Sequence, residues 1–115
     1  IIDVGVNFLF TAFWYDHKIH PTIQHSGAVE ETTIYGPLCM NIDVIRPSLM
    51  FPPMKQGDRL LITRTGAYNN TQWMQFIATR PNIVLIDKDR NAHIIRKAEN
   101  VEYVANNEDI PKHLE

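Results

Sequence analysis

The sequence predicts a small, mainly β domain built as a barrel or a sandwich. Short segments rich in β-branched and aromatic residues recur at intervals of roughly ten residues, and proline or glycine separates them. The chain has 115 residues, of which 44% are hydrophobic and 21% are charged. This length and composition are typical of one globular domain with a packed core, and they argue against disorder.

The individual elements follow from residue type and from the turns that bound them. Glu30–Tyr35 is rich in β-branched residues and stops at Gly36-Pro37. A long proline-containing loop is expected from Pro47 to the Gly57-Asp58 turn, and a hairpin is expected across Asp87–Asn91. The predicted strands are residues 1–4, 17–24, 30–35, 41–46, 59–65, 83–86 and 93–97, and short helices are predicted near residues 7–15, 71–77 and 99–106.

Residues 1–106 are predicted to form one domain, and residues 107–115 are predicted to form a tail. The chain opens with Ile1-Ile2-Asp3-Val4 and has no methionine before it. An apolar strand already in progress is an unusual natural N-terminus. We therefore expect this sequence to be a piece of a longer polypeptide.

Composition also excludes several kinds of partner. The formal net charge is −2 and no stretch is strongly basic, so nucleic-acid binding is not expected. The apolar run Val6–Tyr15 is too short to cross a bilayer, so no membrane partner is expected. His17, His20 and His25 lack a matching ligand set, so we interpret them as surface or strand-face histidines and predict no metal site.

Two short segments carry candidate chemistry. Cys39, the single cysteine, follows the Gly36-Pro37 turn at a strand end, where side chains are often presented at a rim. A lone thiol is usually a small buried hydrophobe, but it can also act as an acid. Gly66-Ala67-Tyr68 lies on another tight turn, which could expose the phenol. Thr71–Ile77 is apolar, and it is either core or subunit interface.

Taken in order, these segments resemble the C-terminal β-domain of the group IV pyridoxal-phosphate (PLP) amino-acid decarboxylases. That family comprises the diaminopimelate, ornithine and arginine decarboxylases and their relatives, and the diaminopimelate enzymes are the most similar. Each motif alone is short, but their order and spacing fit most of the chain. The segments that carry the resemblance are Asp3–Asn7, Gly36–Cys39 with Asp43, Gly57-Asp58, Gly66–Tyr68 and Arg80-Pro81.

The resemblance implies a two-domain enzyme that acts as a homodimer with shared active sites. An N-terminal (β/α)8 barrel, absent from this sequence, would hold PLP on a lysine, and residues 1–106 would form a Greek-key-like β-barrel of the alanine racemase C-terminal type. Cys39 would donate a proton in the partner's site, and Tyr68 would lie against the cofactor in its own site. The full-length protein would be a cytoplasmic carboxy-lyase of amino-acid metabolism, and the isolated chain would be inactive.

The substrate side of the resemblance differs from the family pattern. Met40 stands where the family usually has a carboxylate that binds the distal amine of the substrate. Thr11 stands where diaminopimelate decarboxylases have an arginine for the distal carboxylate. Tyr15, Met40 and Asp43 are expected on the substrate side. The resemblance therefore implies decarboxylation of a small amino acid or an amino-acyl conjugate, with an altered grip on its tail.

Two other functions stay open at this point. The same architecture could serve a racemase or an epimerase, although these enzymes need an acid and a base on opposite faces of the substrate and Cys39 supplies only one group. The chain could also be a non-enzymatic β-barrel assembly module. The polypeptide upstream of Ile1 discriminates between them, because only a PLP enzyme needs a lysine-bearing barrel there.

Overall fold

Short antiparallel strands dominate the structure, a computed structural model that describes residues 1–114. The mainly β prediction is confirmed, and only short helices accompany the strands. The strands are β1 (Lys18–Pro21), β2 (Glu30–Tyr35), β3 (Val44–Phe51), β4 (Leu60–Thr63), β5 (Ile83–Ile86) and β6 (Ala92–Arg96). The helices are α1 (Val101–Ala105) and the 3₁₀ helices Phe10–Phe13 and Lys112–Leu114.

The chain divides into two compact units, Ile1–Phe76 and a second that begins at Ile77. In the first unit, β1 pairs antiparallel with β4, so that Ile19 lies opposite Ile62. β2 pairs antiparallel with β3, with Glu30 opposite Phe51. Across residues 1–114 the sheets are all two-stranded and none closes into a barrel.

The hydrophobic core lies in the first unit. Its members come from both sheets and from the segments that precede β1 and follow β2. They are Val6, Leu9, Ile19, Ile34, Leu38, Ile45 and Phe51. Because Leu38 belongs to this core, the chain that follows β2 is anchored directly against the apolar interior.

β3 runs through a segment that the sequence predicted as loop. The expectation rested on Pro47, which has no N–H to give to a ladder. The β2–β3 register shifts between Thr32 and Ile34, and Pro47 falls at this irregularity. The Thr33 hydroxyl donates a hydrogen bond to the Pro47 carbonyl at 2.7 Å. A β-bulge therefore accommodates Pro47, which has no backbone N–H to donate, and the strand continues to Phe51.

Two further predictions are wrong. Residues 1–4 form no strand, because a single backbone bond from Ile2 N to Tyr35 O, 2.9 Å long, replaces a ladder. Residues 71–77 form no helix. There Met74 N donates to Asn7 O at 3.2 Å instead of to the preceding helical turn. Ile77 ends the segment with φ of 64°, a left-handed value that a helix cannot contain.

The second unit contains the β5–β6 hairpin and α1, both of which the sequence predicted correctly. The Asp87 carboxylate accepts hydrogen bonds from the Asp89 and Asn91 backbone N–H groups at 2.9 and 2.8 Å, which fixes the hairpin turn. The Asn100 side chain caps α1 by accepting from Tyr103 N at 2.8 Å. No helix within residues 1–114 is long and apolar enough to cross a membrane.

Candidate functional site

Cys39 lies on a tight loop, residues 36–43, that joins β2 to β3 and that we call the Cys39 loop. Burial alternates along it, with Gly36 and Leu38 buried and Pro37 and Cys39 exposed. Leu38 packs in the core, and Met40 packs against the core at its edge. The thiol is free. The loop therefore anchors itself through Leu38 and presents the neighbouring Cys39 to the outside.

Asp43 holds this loop closed from the inside. Its side chain is only 1% exposed. One carboxylate oxygen accepts from Leu38 N at 2.6 Å, and the other accepts from Val6 N at 2.8 Å. Gly36 N donates to the Asp43 carbonyl at 2.9 Å. Both carboxylate oxygens are thus committed to backbone donors, which is the satisfied arrangement that a buried carboxylate requires.

The two glycines of the matching motifs make room for this carboxylate. A Cβ placed on Gly36 would collide with both Asp43 carboxylate oxygens. A Cβ on Gly5 would lie 2.8 Å from the Leu38 side chain and 2.9 Å from an Asp43 oxygen. By contrast, Gly66 has open space around it. Glycine is therefore required sterically at positions 36 and 5. The reason is the buried Asp43 carboxylate with its two backbone hydrogen bonds, which we call the Asp43 clamp.

Tyr68 lies on a second turn, residues 65–69, which we call the Tyr68 turn. The residue adopts φ of 67° and its side chain is 58% exposed. Its phenol hydroxyl makes no hydrogen bond to any residue that the structure describes. The next residue, Asn69, is buried, and its Nδ2 donates to Thr65 O at 2.9 Å across the turn. A buried asparagine thus braces the turn that exposes the tyrosine.

The other predicted substrate-side residues divide into exposed and buried ones. Tyr15 is 54% exposed and follows the aromatic 3₁₀ helix, so it is free to contact another molecule. Met40 is partly buried. Asp43 was expected on the substrate side, but the structure places it in the core with no free oxygen. Thr11 is also buried, and its hydroxyl donates to Asn69 Oδ1 at 2.9 Å.

Residues 5–17 connect the Cys39 loop to the Tyr68 turn. Val6 N reaches Asp43 at one end, and Thr11 N reaches Asn69 Oδ1 at 3.1 Å at the other. His17 joins this network through a 2.8 Å contact between its Nε2 and the Thr11 hydroxyl. His17 was predicted to be a surface or strand-face residue, but it is buried and belongs to this network. Thr11 and Asn69 are far apart in the sequence, and no local sequence pattern predicts their hydrogen bonds, which form only when the chain folds.

Among residues 1–114, no group of three or more histidine, cysteine, aspartate or glutamate side chains is arranged to hold a metal ion. What the two turns present is one exposed thiol and one exposed phenol.

This combination defines a sheet-rich domain that exposes a thiol and a phenol on two braced turns. The chain belongs to the pyridoxal-dependent decarboxylases, as their C-terminal sheet domain, because residues 1–66 match that family. The match includes the Cys39 loop and its Asp43 clamp and stops just before Tyr68.

Curated relatives and solved structures agree with this membership. Lysine/ornithine decarboxylase of Selenomonas ruminantium is 32% identical over 95 residues, which are 80% of this chain and 24% of that protein. Diaminopimelate decarboxylase of Helicobacter pylori is 27% identical over 105 residues, or 89% of this chain and 26% of that protein. The crystal structure of diaminopimelate decarboxylase from M. jannaschii superposes with a TM-score of 0.87 at 28% identity, covering 98% of this chain and 26% of that one.

The chain therefore spans about a quarter of the length of the relatives it matches, 24% and 26% for the two curated proteins.

Proposed function

We propose that this chain is the C-terminal domain of a PLP-dependent amino-acid decarboxylase and completes its active site. The observation that carries the proposal is the exposed Cys39 on a loop clamped by buried Asp43. A general acid must be held in place and must also reach the reacting carbon, and this loop supports both requirements.

The full-length enzyme, in this proposal, is a homodimer whose N-terminal (β/α)8 barrel holds the cofactor. The sheet domain then folds as a Greek-key-like barrel of the alanine racemase C-terminal type. Cys39 enters the site of the partner subunit, and Tyr68 lies against the cofactor of its own subunit. We also propose a cytoplasmic location, which the single thiol and the consequent absence of an internal disulfide support.

The exposed residues of this chain fit such a cofactor. PLP, when bound, accepts the electron pair left on the substrate carbon after CO2 departs. The Tyr68 hydroxyl has no partner within the described residues and is free to meet the cofactor. Cys39 Sγ carries a proton at an exposed position of an anchored loop, and transfer of that proton to the substrate carbon completes the exchange of CO2 for hydrogen.

The substrate is a small amino acid whose tail is held differently from the family pattern. Met40 packs against the core and offers no charge to a distal amine. Thr11 is buried in the domain and offers no charge to a distal carboxylate. The names of the relatives make lysine, ornithine and diaminopimelate the first substrates to assay, alongside amino acids with uncharged tails.

The test is decarboxylation by the full-length protein reconstituted with PLP, compared with its Cys39→Ala variant in deuterated water. General-acid catalysis typically contributes a factor of about 100 or more, so kcat is expected to fall by roughly that factor. Deuterium in the product should also lose its single stereochemical position. Unchanged kcat and unchanged stereochemistry in the variant would show that Cys39 is not the proton donor. Racemisation of the substrate without release of CO2 would instead support the epimerase alternative.

A further inference from the structure

A buried polar network is bonded to Asn69, the residue that follows the exposed Tyr68. Thr11, His17 and Asn69 are at most 5% exposed. Asn69 Oδ1 accepts from both the Thr11 backbone N–H and the Thr11 hydroxyl, at 3.1 and 2.9 Å. Asn69 Nδ2 donates to Thr65 O at 2.9 Å. Every polar atom of the Asn69 side chain is therefore used to hold the Tyr68 turn from inside.

The direction of each hydrogen bond in the network is determined. The single hydroxyl hydrogen of Thr11 points to Asn69, so the same oxygen must accept from His17 Nε2–H, 2.8 Å away. The network therefore runs in one sense, from His17 through Thr11 to Asn69. His17 Nδ1 is buried and has no hydrogen-bond partner among residues 1–114. Reversing the chain of donors would leave Asn69 Oδ1 without its hydroxyl donor.

Tyr68 needs such support because of its backbone. Its φ of 67° lies in the left-handed region, which costs a non-glycine residue conformational energy. Further bonds fix the same turn from the outer side, where Thr71 N and Gln72 N both donate to Tyr68 O, at 3.0 and 2.9 Å. A conformation of this kind persists only where its surroundings impose it, and here Asn69 provides the buried half of that constraint.

We propose that Thr11, His17 and Asn69 are positioning residues that hold the Tyr68 turn in the conformation that binds PLP. The inference rests on the proposed function, which places the Tyr68 phenol against the cofactor. It adds that a buried network sets the conformation of the turn that makes this exposed contact. It also gives Thr11 a role, since its position does not serve the substrate tail.

The test measures the dissociation constant of PLP from the full-length apoenzyme by equilibrium dialysis. Thr11→Val keeps the shape of the side chain but removes the hydroxyl, and it is expected to weaken PLP binding about tenfold, as loss of a supporting partner commonly does. Thr11→Ser restores the hydroxyl and should bind within about twofold of wild type. Thr33→Val is the matched control, because it removes a hydroxyl that bonds Pro47 O in β3.

A double-mutant cycle separates positioning from general stability. In a Tyr68→Ala background, Thr11→Val should have no further effect on PLP binding, because the side chain that the network positions is gone. Additive effects would overturn the positioning role, as would a Thr11→Val protein that binds PLP like wild type. If Tyr68→Ala itself leaves PLP binding unchanged, the cofactor assignment of Tyr68 in the proposed function is what fails.

Should Thr11→Val be recovered unfolded, Asn69→Asp carries the same test. This variant keeps an acceptor for Thr11 and replaces the Nδ2 donor to Thr65 O by a carboxylate oxygen, which repels that carbonyl. It is expected to weaken PLP binding about threefold or more, again without effect in the Tyr68→Ala background. Wild-type affinity in a folded Asn69→Asp enzyme would overturn the inference.

Discussion

Replacing Asp43 by asparagine changes one buried oxygen to an NH2 group and leaves the size of the side chain unchanged. In the native loop the two carboxylate oxygens accept from Leu38 N at 2.6 Å and from Val6 N at 2.8 Å. The single oxygen of asparagine can serve only one of these donors. The other N–H then faces an NH2 group in a site from which water is excluded, since Asp43 is 1% exposed.

The cost of Asp43→Asn follows from the two effects. One charge-assisted hydrogen bond is lost and one buried donor is left without an acceptor, which together cost about 3 kcal/mol. At about 1.4 kcal/mol per factor of ten, that free energy corresponds to roughly 100-fold more frequent opening of the Cys39 loop. Hydrogen exchange of a peptide covering residues 36–43, measured by mass spectrometry on the full-length protein, reports this opening directly.

Asp58→Asn is the matched control for this measurement. Asp58 Oδ2 also accepts a backbone bond, from Lys55 N at 2.7 Å, but it does so in a solvent-exposed turn. The remaining oxygen of asparagine, or water, can accept from Lys55 N there, so exchange around Asp58 should change less than about threefold. If Asp43→Asn accelerates exchange no more than Asp58→Asn does, the clamp is not what holds the Cys39 loop.

Two further predictions concern single positions. Gly36→Ala should destabilise the full-length protein by about 2 kcal/mol or more, because the new Cβ meets the Asp43 carboxylate. Gly66→Ala has open space around its new Cβ and should change the thermal midpoint of unfolding little. Equal thermal midpoints for the two variants would contradict the steric argument. The hydrogen bond from His93, followed by those from the Asn91 and Asp89 backbones, lowers the pKa of Asp87 below its ordinary value of 3.8. Because the folded pKa is the lower one, this stabilisation of the hairpin is complete above pH 3.8 and is lost as pH falls through the lowered value. An NMR titration of the Asp87 carboxyl carbon checks this, and a midpoint at or above 3.8 would refute it.

Local sequence signals succeeded where the structure is locally determined. Glu30–Tyr35 is a strand with the predicted bounds, because its β-branched residues end at Gly36-Pro37. The β5–β6 hairpin was also predictable, since Asp87 closes its turn through bonds to Asp89 and Asn91. In both cases the residues that decide the conformation are neighbours in the sequence.

The predictions that failed depended on distant contacts. The segment 71–77 has a helical apolar pattern, but Met74 N pairs with Asn7 O and the helix does not form. β3 extends through Pro47 because a bulge against β2 accommodates it. The sequence identified Cys39 and Tyr68 as candidate site residues, and the structure exposes both. It could not identify the buried partners that brace them, since Asp43 reaches Val6 and Asn69 reaches Thr11 only after folding.

The central claim is that each active site takes Tyr68 from one subunit and Cys39 from the other. The most direct test is to refold Cys39→Ala and Tyr68→Ala full-length subunits together in equal amounts, so that mixed dimers form, and to measure decarboxylation. If the sites are shared, each heterodimer contains one intact site, and random pairing restores decarboxylation to about a quarter of the wild-type rate. If Cys39 and Tyr68 serve the same site within one subunit, every site in the mixture carries one substitution. Activity no higher than the average of the two parent variants would then contradict the claim.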